Sequence, residues 1–227
     1  MGYEGFRYDM VKGFNASHVG DYNTATGIQF SVGEYWDGVG NIKNWINNTG
    51  KKSGAFDFQF HYNMTNAIKY NDWRKLNDAS LMSDASYRRY AITFVENHDI
   101  QVREDNSNEG SKDPIPTAYI PAANAFLIAM PGTPCIFQPH WKAYEHELKS
   151  MIEARKLVGI TNTSSYNNYA SNTQYFANAV NGTNSRKLLV VVGIPSMMTT
   201  PSKTEYTRIL SGKNYMYYLS NNSETAW

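Results

Sequence analysis

Gly5-Phe6-Arg7-Tyr8-Asp9-Met10-Val11-Lys12-Gly13-Phe14 is the stretch on which the reading of this chain turns. Phe6, Tyr8 and Met10 fall on one side of a period-two pattern and Arg7, Asp9 and Val11 on the other, which predicts a short strand. A cation and a carboxylate two residues apart then point the same way. On the inner face of a closed barrel either charge alone would cost on the order of several kcal/mol. Paired, they form a charge-assisted hydrogen bond that keeps Asp9 ionised. Taken alone, this stretch is better read as a structural Arg-Asp pair at a strand end, and residues further along change that reading.

The chain has 227 residues, room for one sizeable domain and a small one. Its net charge of +1, with 18% charged residues, gives no reason to expect nucleic acid or an anionic surface as partner. Aromatic residues make up 14%, 17 of them Tyr and 5 Trp, a supply of rings suited to stacking on sugars as well as to core packing. Cys135 is the one cysteine and cannot form an internal disulfide. No apolar run has the length of a membrane span. The first residues, Met1-Gly2-Tyr3-Glu4, are neither a signal peptide nor another targeting segment.

Further strands are predicted at Ile28 to Glu34, Ala55 to Phe60, Ala91 to Asn97 and Pro134 to Gln138. Helical segments are expected from Asn15 to Thr26, Asn41 to Ile46, Thr117 to Met130 and Leu148 to Val158, with helix or loop over Asn63 to Lys69 and Trp73 to Met82. Gln101 to Asp113 is polar and reads as an exposed, mobile loop. Strands alternating with helices argue for a parallel sheet covered by helices. After Gly159 the pattern changes to strands joined by turns, at Gln174 to Ala177, Leu188 to Val192 and Tyr215 to Leu219. The expected division is residues 1–159 for the parallel unit and 160–227 for a small all-β domain.

Asp9, Glu34 and Asp99 stand at three predicted strand ends, with Arg7, Trp36 and His98 as companions. In a barrel of parallel strands such ends converge on one face. Two facing carboxyl groups can divide glycosidic cleavage: one attacks the anomeric carbon, and the other, kept protonated, donates to the leaving oxygen. A third can favour the cationic transition state.

At these residues the sequence resembles the alpha-amylase family, glycoside hydrolase family thirteen. Gly5 to Lys12 is similar to the family's signature at barrel strand four, Val32-Gly33-Glu34-Tyr35-Trp36 to that at strand five, and Phe94-Val95-Glu96-Asn97-His98-Asp99 to that at strand seven. Gly132-Thr133-Pro134 with Ile136-Phe137 resembles the strand-eight region. The resemblance implies a partial (β/α)8 TIM barrel, strands four to eight, followed by a small antiparallel β-sandwich domain. It implies an alpha-amylase-type retaining hydrolase of α-1,4-glucosidic bonds in starch-like glucans. Related α-glucosidases and transglycosylases, or a catalytically inert glucan-binding fragment, remain alternatives. Asp9 would be the nucleophile, Glu34 the general acid/base and Asp99 the transition-state stabiliser. Arg7 would orient Asp9, His98 would bind hydroxyls at the cleavage point, and Lys12 and Trp36 would line the aglycone side.

Gly13 stands where the family often has His. A structural calcium would take the Gly13 carbonyl, its other ligands coming from strands that should precede residue 5. Their absence marks the chain, on this reading, as a partial sequence, inactive by itself and monomeric when complete. Glu96 replaces the family's commoner Asp, with no consequence expected for the chemistry. Secretion or a periplasmic location follows from the resemblance and from substrate size. Of the remaining candidates, His61, His140 and His146 lack zinc-like spacing, and Glu145-His146-Glu147 reads as a solvated helix start. Trp141 and Tyr62 read as packing residues, and Arg103, Glu104 and Asp105 as loop charges facing water.

Overall fold

The computed structural model describes residues 2–101 and 113–221. Five strands pair in strict chain order, all parallel: β1 (Gly5–Tyr8), β2 (Phe30–Gly33), β3 (Gly54–Phe56), β4 (Ala91–Thr93) and β5 (Thr133–Pro134). A doubly wound sheet reverses its order at a switch point, whereas a barrel wall keeps it. This order is therefore that of a (β/α)8 barrel wall. Among the described residues the sheet stays open, with β1 and β5 at its edges.

Each helix forms where the sequence supplies a start, a stop and an apolar face. In α1 (Ala16–Thr26), Asn15 accepts a hydrogen bond from the Ser17 amide and Gly27 ends the helix in the left-handed region. In α2 (Val39–Asn48), Ile42, Trp45 and Ile46 make the buried face. Gly33 lets Trp45 reach the sheet, since a Cβ there would stand 2.2 Å from the indole. In α3 (Phe58–Lys69), Asp57 caps the first turn and is fully buried, its carboxylate taking the amides of Phe60 (3.2 Å) and Met82 (2.8 Å). Burial pushes the Asp57 carboxyl up, against the pull of those amides.

Pro121 opens α4 (Ile120–Ala129), in which Pro121 to Ala129 are all buried. The 21-residue α5 (Gln138–Val158) is interrupted at Tyr144 and ends at Gly159. An antiparallel sheet follows, ordered β6 (Tyr166–Ser171), β7 (Tyr175–Asn181), β8 (Lys187–Gly193), β10 (Tyr215–Ser220), β9 (Tyr206–Gly212). One continuous core joins this sheet to the barrel wall. Phe126 of α4 stacks on Phe60 and meets Phe176 edge-on, and the Tyr217 hydroxyl donates to the Ala125 carbonyl. No described helix is long and apolar enough to cross a membrane.

The parallel strands are shorter than their sequence patterns. Alternation in the first breaks at Met10, where the backbone turns left-handed (φ 41°) into a 3-10 turn. Val11 is buried there while Met10 is 73% exposed. The third predicted strand stops at Phe56 because Asp57 nucleates a helix, so Phe58 and Phe60 belong to α3. The fifth stops at Pro134, and Glu145-His146-Glu147 lies within α5 instead of at its start. Strands β6 and β9 were not anticipated: their burial patterns are mostly exposed or intermediate, and their apolar signal is weak. Arg103, Glu104 and Asp105 lie outside the described residues, as does most of the expected mobile loop.

Losing the Asp57 carboxylate orphans a buried amide and a helix cap together. Asp57→Ala is expected to destabilise the fold by about 2–4 kcal/mol and Asp57→Asn by about half of that, measured by urea unfolding. An unchanged midpoint and slope for Asp57→Ala would show that the cap contributes nothing.

Candidate active site

The acids predicted to act together stand at the C-terminal ends of β1, β2 and β4. Register explains the first two: Tyr8 pairs with Gly33, so the residues that follow, Asp9 and Glu34, emerge side by side. The Glu34 amide donates to the Tyr8 carbonyl at 2.9 Å and the Val11 amide to the Glu34 carbonyl at 3.3 Å, which fastens the two strand ends.

Arg7 holds both carboxylates. Its Nη1 is 2.6 Å from Asp9 Oδ1 and its Nη2 is 3.1 Å from Glu34 Oε1. The Met10 amide, 3.3 Å from Glu34 Oε2, completes the bracket. Hydrogen bonding from Arg7, then from Glu34, holds the Asp9 carboxyl below the usual carboxylate range, and His98 adds a smaller attraction. Asp9 is thus held ionised.

The two carboxylates differ in exposure. Glu34 is buried at 9% while Asp9 is 68% exposed. The Arg7–Asp9 pair therefore lies in the open and not on the enclosed inner face that the sequence pattern suggested, because β1 is an edge strand here. His98 Nε2 lies 3.3 Å from Asp99 Oδ2, on the loop where Asn97 Oδ1 accepts from the amides of Asp99 and Ile100.

A cavity of about 220 Å³ opens between these elements, lined by Arg7, Glu34, Glu96 and His98 against an apolar wall that includes Phe56, Phe94 and Phe137. Asp9 and Asp99 are tied to its lining through Arg7 and His98. Lys12 and Trp36 stand off from it. Lys12 pairs with Asp37 at 2.8 Å and lies over the Tyr35 ring. That bond, with the Asn41 amide, lowers the Asp37 carboxyl to about 2. The Trp36 indole stacks on Phe58 at 4.8 Å and donates to the Tyr62 hydroxyl at 2.8 Å, which fixes the ring.

Gly13 lies in the 3-10 turn Val11–Gly13 and is exposed. Among the described residues no three His, Cys, Asp or Glu side chains come together as a metal site.

Sequence reasoning missed the support beneath the cavity. Glu96 is buried, Oε1 accepting from the Ile115 amide at 3.1 Å and Oε2 lying 2.6 Å from His140 Nε2. The Asn124 amide donates to His140 Nδ1 at 3.1 Å, so Nε2 carries the proton that faces Glu96. One carboxylate thereby joins β4, the start of α5 and the middle of α4. Spacing could not reveal this, as the partners lie 44 and 28 residues from Glu96. Glu147 accepts from the Tyr215 hydroxyl at 2.6 Å, so it is not a freely solvated helix charge. Cys135 and Gln138, which carried no expectation, line the cavity.

The sequence and the fold are similar to those of known proteins. No family model matches the chain. It is 27% identical over 237 residues to probable alpha-amylase 2 of Arabidopsis thaliana, covering 95% of this chain and 54% of that protein. It is 30% identical over 175 residues to the alpha-amylase of Bacillus licheniformis, covering 67% of this chain and 33% of that one. The chain thus spans about half of the first relative's length or less. Among solved structures, an Anoxybacillus alpha-amylase superposes with a TM-score of 0.68 at 12% identity, over 96% of this chain and 58% of its own.

The Arg7 bridge has a direct readout. Because Arg7 lowers the Asp9 pKa, Arg7→Met is expected to move the Asp9 side-chain midpoint up toward the usual carboxylate range, followed by carbon NMR of the carboxyl. The Asp37 midpoint, set by Lys12, should stay in place. An unmoved Asp9 would mean that Arg7 is not what holds it ionised.

Proposed function

We propose that this chain, whose sequence and fold match the C-terminal portion of alpha-amylase-family proteins, carries the reacting carboxylates of a retaining endo-acting α-1,4-glucan hydrolase. The observation that carries the reading is one guanidinium holding two carboxylates from adjacent strand ends, one exposed and ionised and one buried. Retention needs such a close pair, with one group free to attack while the other delivers a proton.

In this reading Asp9 attacks the anomeric carbon and Glu34 protonates the departing glycosidic oxygen. The bond to the leaving sugar breaks as the Asp9 ester forms. Glu34, now a carboxylate, takes a proton from water, which attacks the ester and restores Asp9. Asp99 stabilises positive charge on the sugar, and His98 donates to its hydroxyls. Arg7 keeps Asp9 aimed and ionised. Lys12 and Trp36 contact the aglycone side beyond the 220 Å³ cavity, each already steadied by a protein partner. The substrate is an α-glucan, with secretion or periplasmic delivery as the matching location and a monomer as the working form.

The 68% exposure of Asp9 and 40% exposure of Asp99 favour weak turnover by these 227 residues alone, because open carboxylates are solvated instead of preorganised. A trapping experiment suits such a chain. A fluorinated glucosyl fluoride that acylates readily and deacylates slowly should leave its sugar on Asp9, found by peptide mass. Asp9→Asn should lose the label, whereas Glu34→Gln should keep it, because fluoride departs without a proton. A sugar found on a different carboxylate would overturn the nucleophile assignment.

A further inference from the structure

We propose that the opposite, N-terminal face of the parallel sheet holds a second binding site, one for a phosphate group carried on a sugar. A cavity of about 350 Å³ opens there beside Phe30 of β2, Gly54 of β3 and Thr133 of β5. A neighbouring hollow of about 420 Å³ shares Gln29, Lys51 and Lys52 with it. No carboxylate lines either hollow.

Three cations that lack an acidic partner, as several others in the chain do, meet at this one hollow. Lys12, Lys43, Lys69, Lys149, Lys156, Arg7 and Arg74 each have an acidic partner within 4.0 Å. Among the described residues Lys51, Lys52 and Arg89, which line the 350 Å³ cavity, have none. Lys52 donates to the Thr24 hydroxyl, Lys51 sits over the Tyr87 ring and Arg89 over the Tyr90 ring. These contacts steady the cations without neutralising them. Gly50 and Lys51 are both left-handed (φ 67° and 59°), a conformation that an ordinary side chain rarely adopts and that delivers two lysines in succession to the rim.

Three uncompensated cations around one hollow focus a positive field into it. A phosphate monoester, with two charges and three free acceptor oxygens, can use several of these donors at once, as a single carboxylate cannot. Phe30 is 49% exposed at the same cavity and gives the ester's sugar ring an apolar surface. The site shares no residue with the Arg7–Asp9–Glu34 cluster, which lies at the other end of the same strands. Its test therefore does not depend on the hydrolase reading.

The full 227-residue chain, labelled with nitrogen-15, is titrated at constant ionic strength with glucose 6-phosphate, inorganic phosphate and glucose. The two phosphates should shift the backbone amides of Lys51, Lys52 and Arg89 saturably, with glucose 6-phosphate the tighter, while glucose leaves them unmoved. The double variant Lys51→Asn with Arg89→Gln should weaken the phosphate Kd by about tenfold or more, whereas Lys213→Gln, on a distant turn, should leave it unchanged. Phe30→Ser should weaken glucose 6-phosphate and spare inorganic phosphate; equal affinity for the two would overturn the sugar-bearing ligand and leave free phosphate. The wild-type shifts alone decide the site should a variant not fold. No saturable shift at these amides, or an equal loss with Lys213→Gln, would overturn the proposal.

Discussion

A helix that is apolar on every side must be covered on every side, and α4 imposes that condition on the rest of the chain. Pro121 to Ala129 are buried without exception, so neither the parallel sheet nor the antiparallel one can be removed without wetting it. Phe126 touches α3 on one flank and β7 on another. The carbonyls at its C-terminal end are taken by Arg155 of α5, which reaches Ile128, Met130 and Gly132 at 2.6 to 3.0 Å. Burial lowers Arg155 to about 10, still high enough to remain charged in neutral solution. The antiparallel sheet is in this sense the outer wall of the barrel core.

The same helix reaches the site from below. Asn124 holds His140, His140 faces Glu96, and Glu96 stands two residues before His98 on the strand end that carries Asp99. A buried carboxylate is tolerated because both its oxygens have partners. Its cost is offset by fixing where β4 ends, a position that three short strand residues could not fix alone. On the other side of the cavity a charge-assisted bridge does the equivalent work, with Arg7 setting Asp9 against Glu34. The two halves of the site are thus located by different means, one by a buried hydrogen-bonded network and the other by an ionic bridge open to solvent.

What was legible in the sequence follows from this difference. Strand order, helix positions and the acids at strand ends depend on local periodicity and capping, and Asn15, Gly27 and Gly159 mark their helix ends in plain view. Strand lengths were misjudged wherever a side chain competed for the backbone. Asp57 begins a helix in the middle of an alternating Phe56, Phe58, Phe60 pattern, and Met10 turns left-handed where alternation would have continued. The links from Glu96 to His140 and from Tyr215 to Glu147 join residues 44 and 68 positions apart, and no spacing rule encodes them. Exposure was also unreadable: a Arg-Asp pair looks the same on an edge strand as inside a closed barrel.

A parallel sheet gives its two ends unlike company, and this chain uses both. The carboxylates gather where the strands finish and loops of varying length can bring them together around Arg7. Lys51, Lys52 and Arg89, none with an acidic partner, line a hollow where the strands begin. Strand dipoles are too small to sort charge in this way, since neither face gains a strong intrinsic field from the sheet itself. The separation must therefore come from the side chains. Moving Lys51 or Arg89 to the other end would neutralise the acids that Arg7 already serves, and moving Asp9 or Glu34 down would quench the positive hollow. Each end keeps its field because the length of the strands, and the apolar layers between, hold the two sets of charges apart.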